Sequence, residues 1–272
     1  MSAPNAIKSE KLARLIGTAS TPVIVDVRIG EDFEADARLI PGALKRSHQT
    51  VSEWGKALAG KSVIVVCHHG AKLSEGTAAW LRHLGADAVT LEGGFVEWEA
   101  VKLPLVPVAK IPPRDAEGRT IWVTRARPKI DRIACPWLIL RFVDPSAVFL
   151  FVAPQEVAAV ADRFNGTAFD IENTHWSHRG DLCTFDVMIE EFGLSTEALL
   201  RLATIVRAAD TAKLDLAPES AGLLAASLGL SRMYADDLEQ LEAGMTLYDA
   251  FYRWCRDATE ETHNWPTNKV KP

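Results

Sequence analysis

The feature that most constrains the fold is a proline-rich segment near the middle of the chain. Residues 103–118 include four prolines within ten positions, from Pro104 to Pro113. Each proline removes a backbone hydrogen-bond donor and fixes φ, so the segment favours extended conformations. The sequence therefore predicts two folded units joined by a linker. The expected division is a first domain, a Pro-rich linker, a second domain and a polar tail, at residues 1–106, 107–119, 120–258 and 259–272.

Short β-branched runs predict the architecture of the first domain. Residues 23–26 and 62–66 form two such runs, separated by stretches with helical spacing. This alternation is typical of a parallel sheet covered by helices on both faces, an α/β fold.

The second domain shows a different order of patterns. Strand candidates occur at residues 120–124, 148–152 and 168–171, and segments with helical spacing follow from about residue 184. Strands followed by helices predict an α+β, mostly helical, domain.

Charge and cysteine content exclude several classes of protein. Thirty-six acidic residues against thirty basic ones give a net charge of -6, so the chain lacks the overall positive field of a nucleic-acid binder, and no nucleic-acid partner is expected.

Four dispersed cysteines predict free thiols in a reducing compartment, the cytoplasm by default. No apolar run approaches the ~18 residues of a membrane span, and the N-terminus lacks a leader pattern, so neither membrane association nor export is expected.

The strand pattern at residues 63–66 runs directly into Cys67 and a short loop, with a helix pattern beginning near Ser74. A loop between a strand end and a helix N-terminus directs backbone N–H groups inward, which favours an anion at its centre. A Cys67 thiolate would fill that position as a nucleophile, with the Lys72 cation at the rim. For an isolated cysteine after a strand, a buried structural role is the competing interpretation.

The first domain resembles the rhodanese family of sulfurtransferases through an ordered series of motifs. These are Ile24-Val-Asp26-Val-Arg28, Glu31 with Phe33, Ile40-Pro-Gly-Ala43, the Cys67 loop, and Leu91-Glu-Gly-Gly-Phe95 with Trp98. The resemblance implies that Cys67 takes a sulfane sulfur from a small-molecule donor, becomes a persulfide, and passes the sulfur to a thiol or other nucleophilic acceptor. No cofactor is required. The amides that would hold the sulfur belong to His68, His69, Gly70, Ala71, Lys72 and Leu73.

Loop length favours sulfur transfer over the related cysteine phosphatases. The spacing from Cys67 to Lys72 is C-x4-K, whereas those phosphatases use C-x5-R around a phosphate. Lys72 stands where the family usually has Arg, and Leu73 where Ser or Thr is common. Lysine lacks the bidentate fork of arginine, so thiosulfate is expected to be a poor donor and a thiol persulfide a better one.

Four further residues of the first domain have supporting or alternative interpretations. His68 and His69 are expected to diverge, one into solvent and one over the loop; a metal site shared with Cys67 is the less favoured alternative. Asp26 and Arg28 are expected to fix the sheet edge and the loop by charge-assisted hydrogen bonds without touching substrate.

The second domain contains a second thiol and a candidate metal site. Pro136 is expected in the first turn of a helix, which would place Cys135 near the helix N-terminus and activate its thiol. Glu172, His178 and Cys183 lie close together in sequence and are candidate ligands for a divalent metal. Three arginines favour an oxyanion instead: Arg132, Arg141 and Arg179. The spacing of the candidate metal ligands matches no standard zinc pattern, and helix capping alone also explains the polar side chains of such a loop.

The second domain is similar to the C-terminal domain of ChrB-type chromate-resistance proteins. The shared motifs are Cys135-Pro-Trp-Leu-Ile, Phe149-Leu-Phe-Val, Phe169-Asp, His178-Arg-Gly, Cys183-Thr-Phe185 and Leu247-Tyr-Asp-Ala250. The resemblance implies a link to chromate resistance or sensing. Two functions therefore stay open: a sulfurtransferase linked to chromate resistance, or a metal- or chromate-binding sensor with a weak rhodanese module. A relay from Cys67 to Cys135 and Cys183 would join them.

Overall fold

The computed structural model describes residues 5–261, and its first half is built on a five-stranded parallel sheet. The sheet order is β1-β6-β5-β2-β4, and every neighbouring pair is parallel. The strands of this half are β1 (Ala6–Ile7), β2 (Val23–Asp26), β3 (Arg38–Leu39), β4 (Ala43–Lys45), β5 (Ser62–Val66), β6 (Asp87–Leu91) and β7 (Val106–Pro107). Its helices are α1 (Ser9–Leu15), α2 (Gly30–Ala35), α3 (Val51–Trp54), α4 (Lys72–His83) and α5 (Gly94–Ala100).

Alternating residues of the strands are buried on opposite faces of this sheet. In β5, Ile64 and Val66 join one apolar cluster, whereas Val63 and Val65 join another. The first cluster includes residues of α1 and α5, and the second includes residues of α3 and α4. A strand buried on both faces needs a continuous apolar run, as β5 has. The predicted α/β fold with helices on both faces is confirmed.

The second half combines a small parallel sheet with a mostly helical remainder. Its strands have the order β10-β8-β9 and are parallel. The elements are β8 (Ile121–Arg125), α6 (Asp131–Leu138), a π-helical turn (Ile139–Val143), β9 (Val148–Val152), α7 (Val157–Arg163), β10 (Thr167–Ala168), α8 (Thr184–Glu191), α9 (Glu197–Asp210), α10 (Ser220–Met233) and α11 (Asp237–Asp257). This agrees with the predicted mostly helical α+β domain, but α6 and α7 lie between the strands because parallel strands need crossover connections.

The proline-rich segment combines the short strand β7 with a 3-10 turn at Val108–Lys110, and it packs against the rest of the molecule. β7 pairs antiparallel with β3, and Leu105 and Val106 are buried. Val108 and Ile111 pack against the same apolar cluster. The segment therefore contributes to the core between the two halves. Of the expected polar tail, residues 262–272 lie outside the described residues.

The two halves share one hydrophobic core. The cluster that begins under α1 and α5 continues into α6, α8, α9 and α11 without a break. A Cβ added at Gly17 (φ +78°) would lie 2.3 Å from Phe142 Cζ, so only glycine permits this contact. The Gly42 amide donates to the Phe142 carbonyl at 2.7 Å. A cavity of about 530 Å³ lies in the same interface, with Trp98 on one side and Tyr252 on the other.

None of the helices within residues 5–261 combines the length and apolar character that crossing a bilayer requires.

Two ion pairs share the Glu191 carboxylate, and one of them connects the proline-rich segment to the second half. The Glu191 carboxylate accepts from Lys110 Nζ at 2.5 Å and from Arg179 Nη1 at 2.6 Å. These two cations lower the pKa of Glu191 from 4.5 to about 2. A depressed carboxyl pKa stabilises the folded state above about pH 4.5, and this stabilisation is lost as the pH falls towards 2.

We expect Glu191→Gln to lower the free energy of unfolding by about 1 kcal/mol at pH 7, since both cations are well exposed to solvent. The neighbouring exposed Glu190→Gln is the matched control and should change it little. Urea denaturation at pH 7 and at pH 3 would measure both. A deficit of the Glu191 variant that is as large at pH 3 as at pH 7 would contradict this account.

Candidate functional site

Cys67 lies directly after β5, the central strand of the first sheet, at its carboxyl edge. In open parallel sheets this edge is where ligands bind. The loop runs to Ala71, and α4 begins at Lys72, two residues earlier than predicted. The Cys67 residue is 5% exposed. The thiol therefore lies at the base of the loop, beside the N-terminus of a twelve-residue helix.

Backbone hydrogen bonds anchor this loop to the start of α5 through its carbonyl groups. The Phe95 amide donates to the Cys67 carbonyl at 3.0 Å, and the Val96 amide donates to the His68 carbonyl at 3.1 Å. These bonds turn the loop carbonyls towards α5. Within residues 5–261, no acceptor contacts the amides from His68 to Ala71. The amides at the start of α4 add further donors, because the first turn of a helix leaves its N–H groups unpaired. Unpaired amides beside a helix N-terminus suit an anion.

Two glycines allow the loop and the start of α5 to touch backbone to backbone. A Cβ at Gly70 (φ +69°) would lie 2.5 Å from the Leu91 carbonyl oxygen. A Cβ at Gly94 (φ +64°) would lie 2.3 Å from the Gly70 nitrogen and 2.4 Å from the Cys67 carbonyl oxygen. No side chain fits between these segments. Gly70 of the Cys67 loop and Gly94 of the motif Leu91-Glu-Gly-Gly-Phe95 therefore permit this contact, which fixes the position of the loop.

Ser74 is the residue near the thiol that the sequence analysis missed. Cys67 Sγ lies 3.2 Å from Ser74 Oγ and 3.6 Å from the Ala71 carbonyl oxygen. Ser74 is fully buried on the first turn of α4, whereas Leu73 packs into the core between α4 and the sheet. The hydroxyl that faces the thiol is thus one residue beyond position 73, where the family commonly has Ser or Thr. Its place in the first turn of the helix after the loop was the available signal.

The charged and imidazole groups of the loop lie near its rim. Lys72 and His69 are exposed, and Lys72 forms no ion pair with any residue in the described part of the chain. The rings of His68 and His69 meet edge to face with centroids 4.5 Å apart, so they stay in contact, although His69 is exposed and His68 is partly buried. His68 Nδ1 is buried without a hydrogen-bond partner among residues 5–261.

Asp26 and Arg28 form a buried ion pair beside the sheet edge. Arg28 Nε donates to Asp26 Oδ2 at 2.8 Å, and the guanidinium also donates to the carbonyls of Asp36 and Arg38. The guanidinium carbon lies 3.7 Å from the centre of the Phe95 ring. Both side chains are almost completely buried. All of these contacts are structural, and they link β2 to the start of α5.

A second cluster of polar side chains lies at the carboxyl edge of the second sheet. It contains Asp131 at the start of α6, Asp170 after β10, His178 before α8 and Asp210 at the end of α9. Ligand atoms of Asp131, Asp170 and His178 lie within 4.8 Å of one another. His178 Nε2 is 3.6 Å from Asp131 Oδ2, 3.6 Å from Asp170 Oδ1 and 3.3 Å from Asp210 Oδ2. Four elements therefore meet at one point.

Burial and mutual repulsion perturb the acids of this cluster. Burial, followed by the carboxylates of Asp210 and Asp170, raises the pKa of Asp131 well above its usual value. Asp131 Oδ2 accepts from the Thr184 amide at 2.6 Å, which caps α8. The Asp170 carboxylate raises the pKa of His178 to about 9, against the opposing effect of burial.

The predicted ligand set of the second domain needs correction. His178 belongs to the cluster, but Glu172 is exposed and outside it. Cys183 is completely buried at the N-cap of α8, and burial raises the pKa of its thiol far above the usual value. Asp131 and Asp210 were missed because they are distant in sequence from His178, and only the fold brings them to it.

The expectation of an activated Cys135 is also wrong. α6 begins at Asp131, so Pro136 occupies its sixth position and Cys135 is fully buried. Burial, reinforced by the Asp131 carboxylate, raises the pKa of the Cys135 thiol well above its usual value. With both Cys135 and Cys183 sealed in the core, nothing in the geometry supports a relay of sulfur from Cys67.

The three arginines considered for oxyanion binding do not converge. Arg132 Nε lies 3.3 Å from Asp170 Oδ2 in the acidic cluster. Arg141 pairs with Asp249, and Arg179 pairs with Glu191. Arg125 is the second guanidinium at the cluster, 3.2 Å from Asp170 Oδ2.

We expect Gly94→Ala to lower the free energy of unfolding by more than about 2 kcal/mol, because the new Cβ would collide with backbone atoms at a positive φ. Gly76→Ala is the matched control: Gly76 lies in α4 with no atom within 4 Å of an added Cβ, and the helix should gain about 0.5–1 kcal/mol. Urea denaturation would measure both variants. Equal effects of the two substitutions would exclude a steric role for Gly94.

Comparisons with known proteins place each half of the chain. The family model of the rhodanese-like domain matches residues 8–101, and that of the ChrB C-terminal domain matches residues 122–255. Thiosulfate sulfurtransferase GlpE of Pseudomonas savastanoi pv. phaseolicola is 34% identical over 80 residues, 29% of this chain and 73% of that protein. Protein ChrB of Cupriavidus metallidurans is 35% identical over 147 residues, 52% of this chain, and the chain spans 43% of its length.

Among solved structures, a rhodanese-related protein from Thermoplasma volcanium is 26% identical, with a TM-score of 0.33, and the match covers 38% of this chain and 97% of that one. The first half also has the parallel sheet and the strand-end cysteine loop that the rhodanese resemblance implies. Through residues 8–101 the chain belongs to the rhodanese-like family, and its residues 122–255 match the family model of the ChrB C-terminal domain.

Proposed function

We propose that this protein is a sulfurtransferase that carries a sulfane sulfur on Cys67 and passes it to a thiol or another nucleophile. The single observation that supports this most directly is that the amides from His68 to Ala71, in the loop that follows Cys67, have no hydrogen-bond acceptor within residues 5–261. Membership of the rhodanese-like family and the likeness to a thiosulfate sulfurtransferase agree with it.

The reaction has two displacement steps that balance without an external oxidant. The Cys67 thiolate attacks the outer sulfur of a donor such as thiosulfate, the sulfur–sulfur bond of the donor breaks, and sulfite leaves with the bonding electron pair. The persulfide anion that remains on Cys67 is then attacked at its outer sulfur by an acceptor thiolate. The acceptor becomes a persulfide, and Cys67 leaves as a thiolate, ready for another cycle.

The chain's own groups can stabilise both anionic forms of Cys67. The unpaired amides would donate to the terminal sulfur of the persulfide, at a site where developing charge needs fixed dipoles. The Ser74 hydroxyl, 3.2 Å from Sγ, accepts from the thiol and can turn to donate to the thiolate. The exposed Lys72 ammonium adds a positive charge near the entrance to the loop.

The link to chromate resistance is part of the proposal for the whole chain. It is supported by the similarity of residues 122–255 to ChrB. We place the protein in the cytoplasm, since the four cysteines are buried free thiols, as expected in a reducing compartment. The sulfur donor would be a small molecule, and no nucleic acid or membrane would take part.

Replacing the nucleophile tests the proposal. We expect Cys67→Ser to lower thiosulfate-to-cyanide sulfur transfer by at least about 1,000-fold, because a hydroxyl cannot form the persulfide. Cys255→Ser is the matched control, since Cys255 is a buried thiol on α11 outside the loop. Thiocyanate formation and the mass of one added sulfur on the Cys67 peptide are the two measurements. Transfer that survives in the Cys67 variant would refute the assignment.

The donor preference tests the role of Lys72. We expect Lys72→Arg to lower the KM for thiosulfate about fivefold, because a guanidinium adds one charge-assisted hydrogen bond to the sulfonate oxygens, about 1 kcal/mol. The KM for a glutathione persulfide donor should change little. Lys61→Arg, an exposed substitution before β5, is the control. If both donors respond equally, Lys72 acts only as a general positive charge.

A further inference from the structure

We propose that the ChrB C-terminal domain binds a divalent transition-metal ion, with Zn²⁺ as the natural probe, through Asp131, Asp170 and His178, and with Asp210 placed to complete the site. The inference is independent of the proposed sulfur transfer, because the cluster lies on the second sheet and shares no residue with the Cys67 loop.

The distances from His178 to the three carboxylates are close to those between neighbouring ligands of a small cation. A zinc ion with ligands at about 2.0–2.1 Å in a tetrahedron has neighbouring ligand atoms about 3.3–3.4 Å apart. His178 Nε2 lies 3.3–3.6 Å from one oxygen of each of three carboxylates. These distances exceed the usual length of a hydrogen bond between such groups. One imidazole nitrogen thus converges with three acceptor oxygens, and a shared cation would satisfy them together.

An unpaired buried carboxylate oxygen points to the same conclusion. Asp131 is 0% exposed, and its Oδ1 has no hydrogen-bond partner among residues 5–261. Its other oxygen, Oδ2, is used by the Thr184 amide. A buried polar atom without a partner is costly, and a coordinated cation removes that cost. The Asp131 carboxylate therefore keeps one buried oxygen, Oδ1, without a partner next to the oxygen that faces His178.

The surroundings define the chemistry of the ion. Imidazole with carboxylates suits zinc and related first-row divalent metals. Two guanidinium groups, of Arg125 and Arg132, bind Asp170 Oδ2, while Oδ1 faces His178 and accepts from the Thr184 hydroxyl at 3.0 Å. These arginines orient the Asp170 ligand, as second-layer contacts do in metal sites. His178 and Asp210 are partly exposed, so an ion has a route from solvent.

Thiolate ligation is not part of the proposal. Cys135 and Cys183 are completely buried and neither supplies an atom to the converging set. The site therefore differs from a cysteine-rich structural zinc centre and should give no thiolate signature.

The test is metal binding by the full-length protein after treatment with EDTA. We expect one Zn²⁺ per chain by isothermal titration calorimetry, and an affinity at least about tenfold weaker in His178→Ala and in Asp210→Asn. Both positions are partly exposed, so these variants should fold; circular dichroism would confirm it. His175→Ala is the matched control, since His175 lies three residues away, contacts Glu191, and is outside the cluster.

Cobalt substitution separates this site from the Cys67 loop. We expect Co²⁺ to give visible absorption without a thiolate-to-cobalt band, unchanged in Cys67→Ser and lost in His178→Ala. A thiolate band that disappears in Cys67→Ser would place the metal in the loop and overturn the inference. Absence of stoichiometric zinc, or equal zinc affinity in His178→Ala and the parent, would overturn it too. Sulfur transfer by the EDTA-treated protein is measured separately, so that failure of either proposal is distinguishable.

Discussion

The position of the Cys67 loop depends on direct contact between two stretches of backbone. Gly70 and Gly94 lie too close for any side chain, and the amides of α5 bind the carbonyls of Cys67 and His68. With its carbonyls held in this way, the loop keeps its own N–H groups free. The electrostatic character of the site is therefore a property of the main chain, and side chains such as Ser74 and Lys72 add to it.

The same principle of convergence at a sheet edge produces the second cluster, but with side chains. Asp131, Asp170 and His178 come from a helix start, a strand end and a loop, and Asp210 ends a helix. Parallel strands bring all their carboxyl ends to one edge, so both halves carry polar groups in equivalent places. One half collects backbone amides, which suit an anion, and the other collects carboxylates with an imidazole, which suit a cation.

Sequence patterns predicted the fold better than the second site. The continuous apolar run of β5 and the ordered motifs identified the first half, and the loop could be located from Cys67 alone. Ser74 was missed because the family pattern places the hydroxyl one residue earlier, at the position that Leu73 occupies here. Asp131 and Asp210 of the second cluster were missed because they meet only through the packing of α6 against α9. Burial also reversed the expectation for Cys135, since a helix start activates only a thiol that solvent reaches.

The continuous core has a thermodynamic consequence for the whole chain. Gly17 packs on Phe142 and Tyr252, and the proline-rich segment fills the space between the halves. Unfolding one half would expose the apolar surface of the other, so the two halves should melt in a single transition. Any ligand that binds only the native form then protects both halves by mass action. A ligand bound at the edge of one sheet therefore raises the melting temperature of the half that contains the other sheet, without any change of shape.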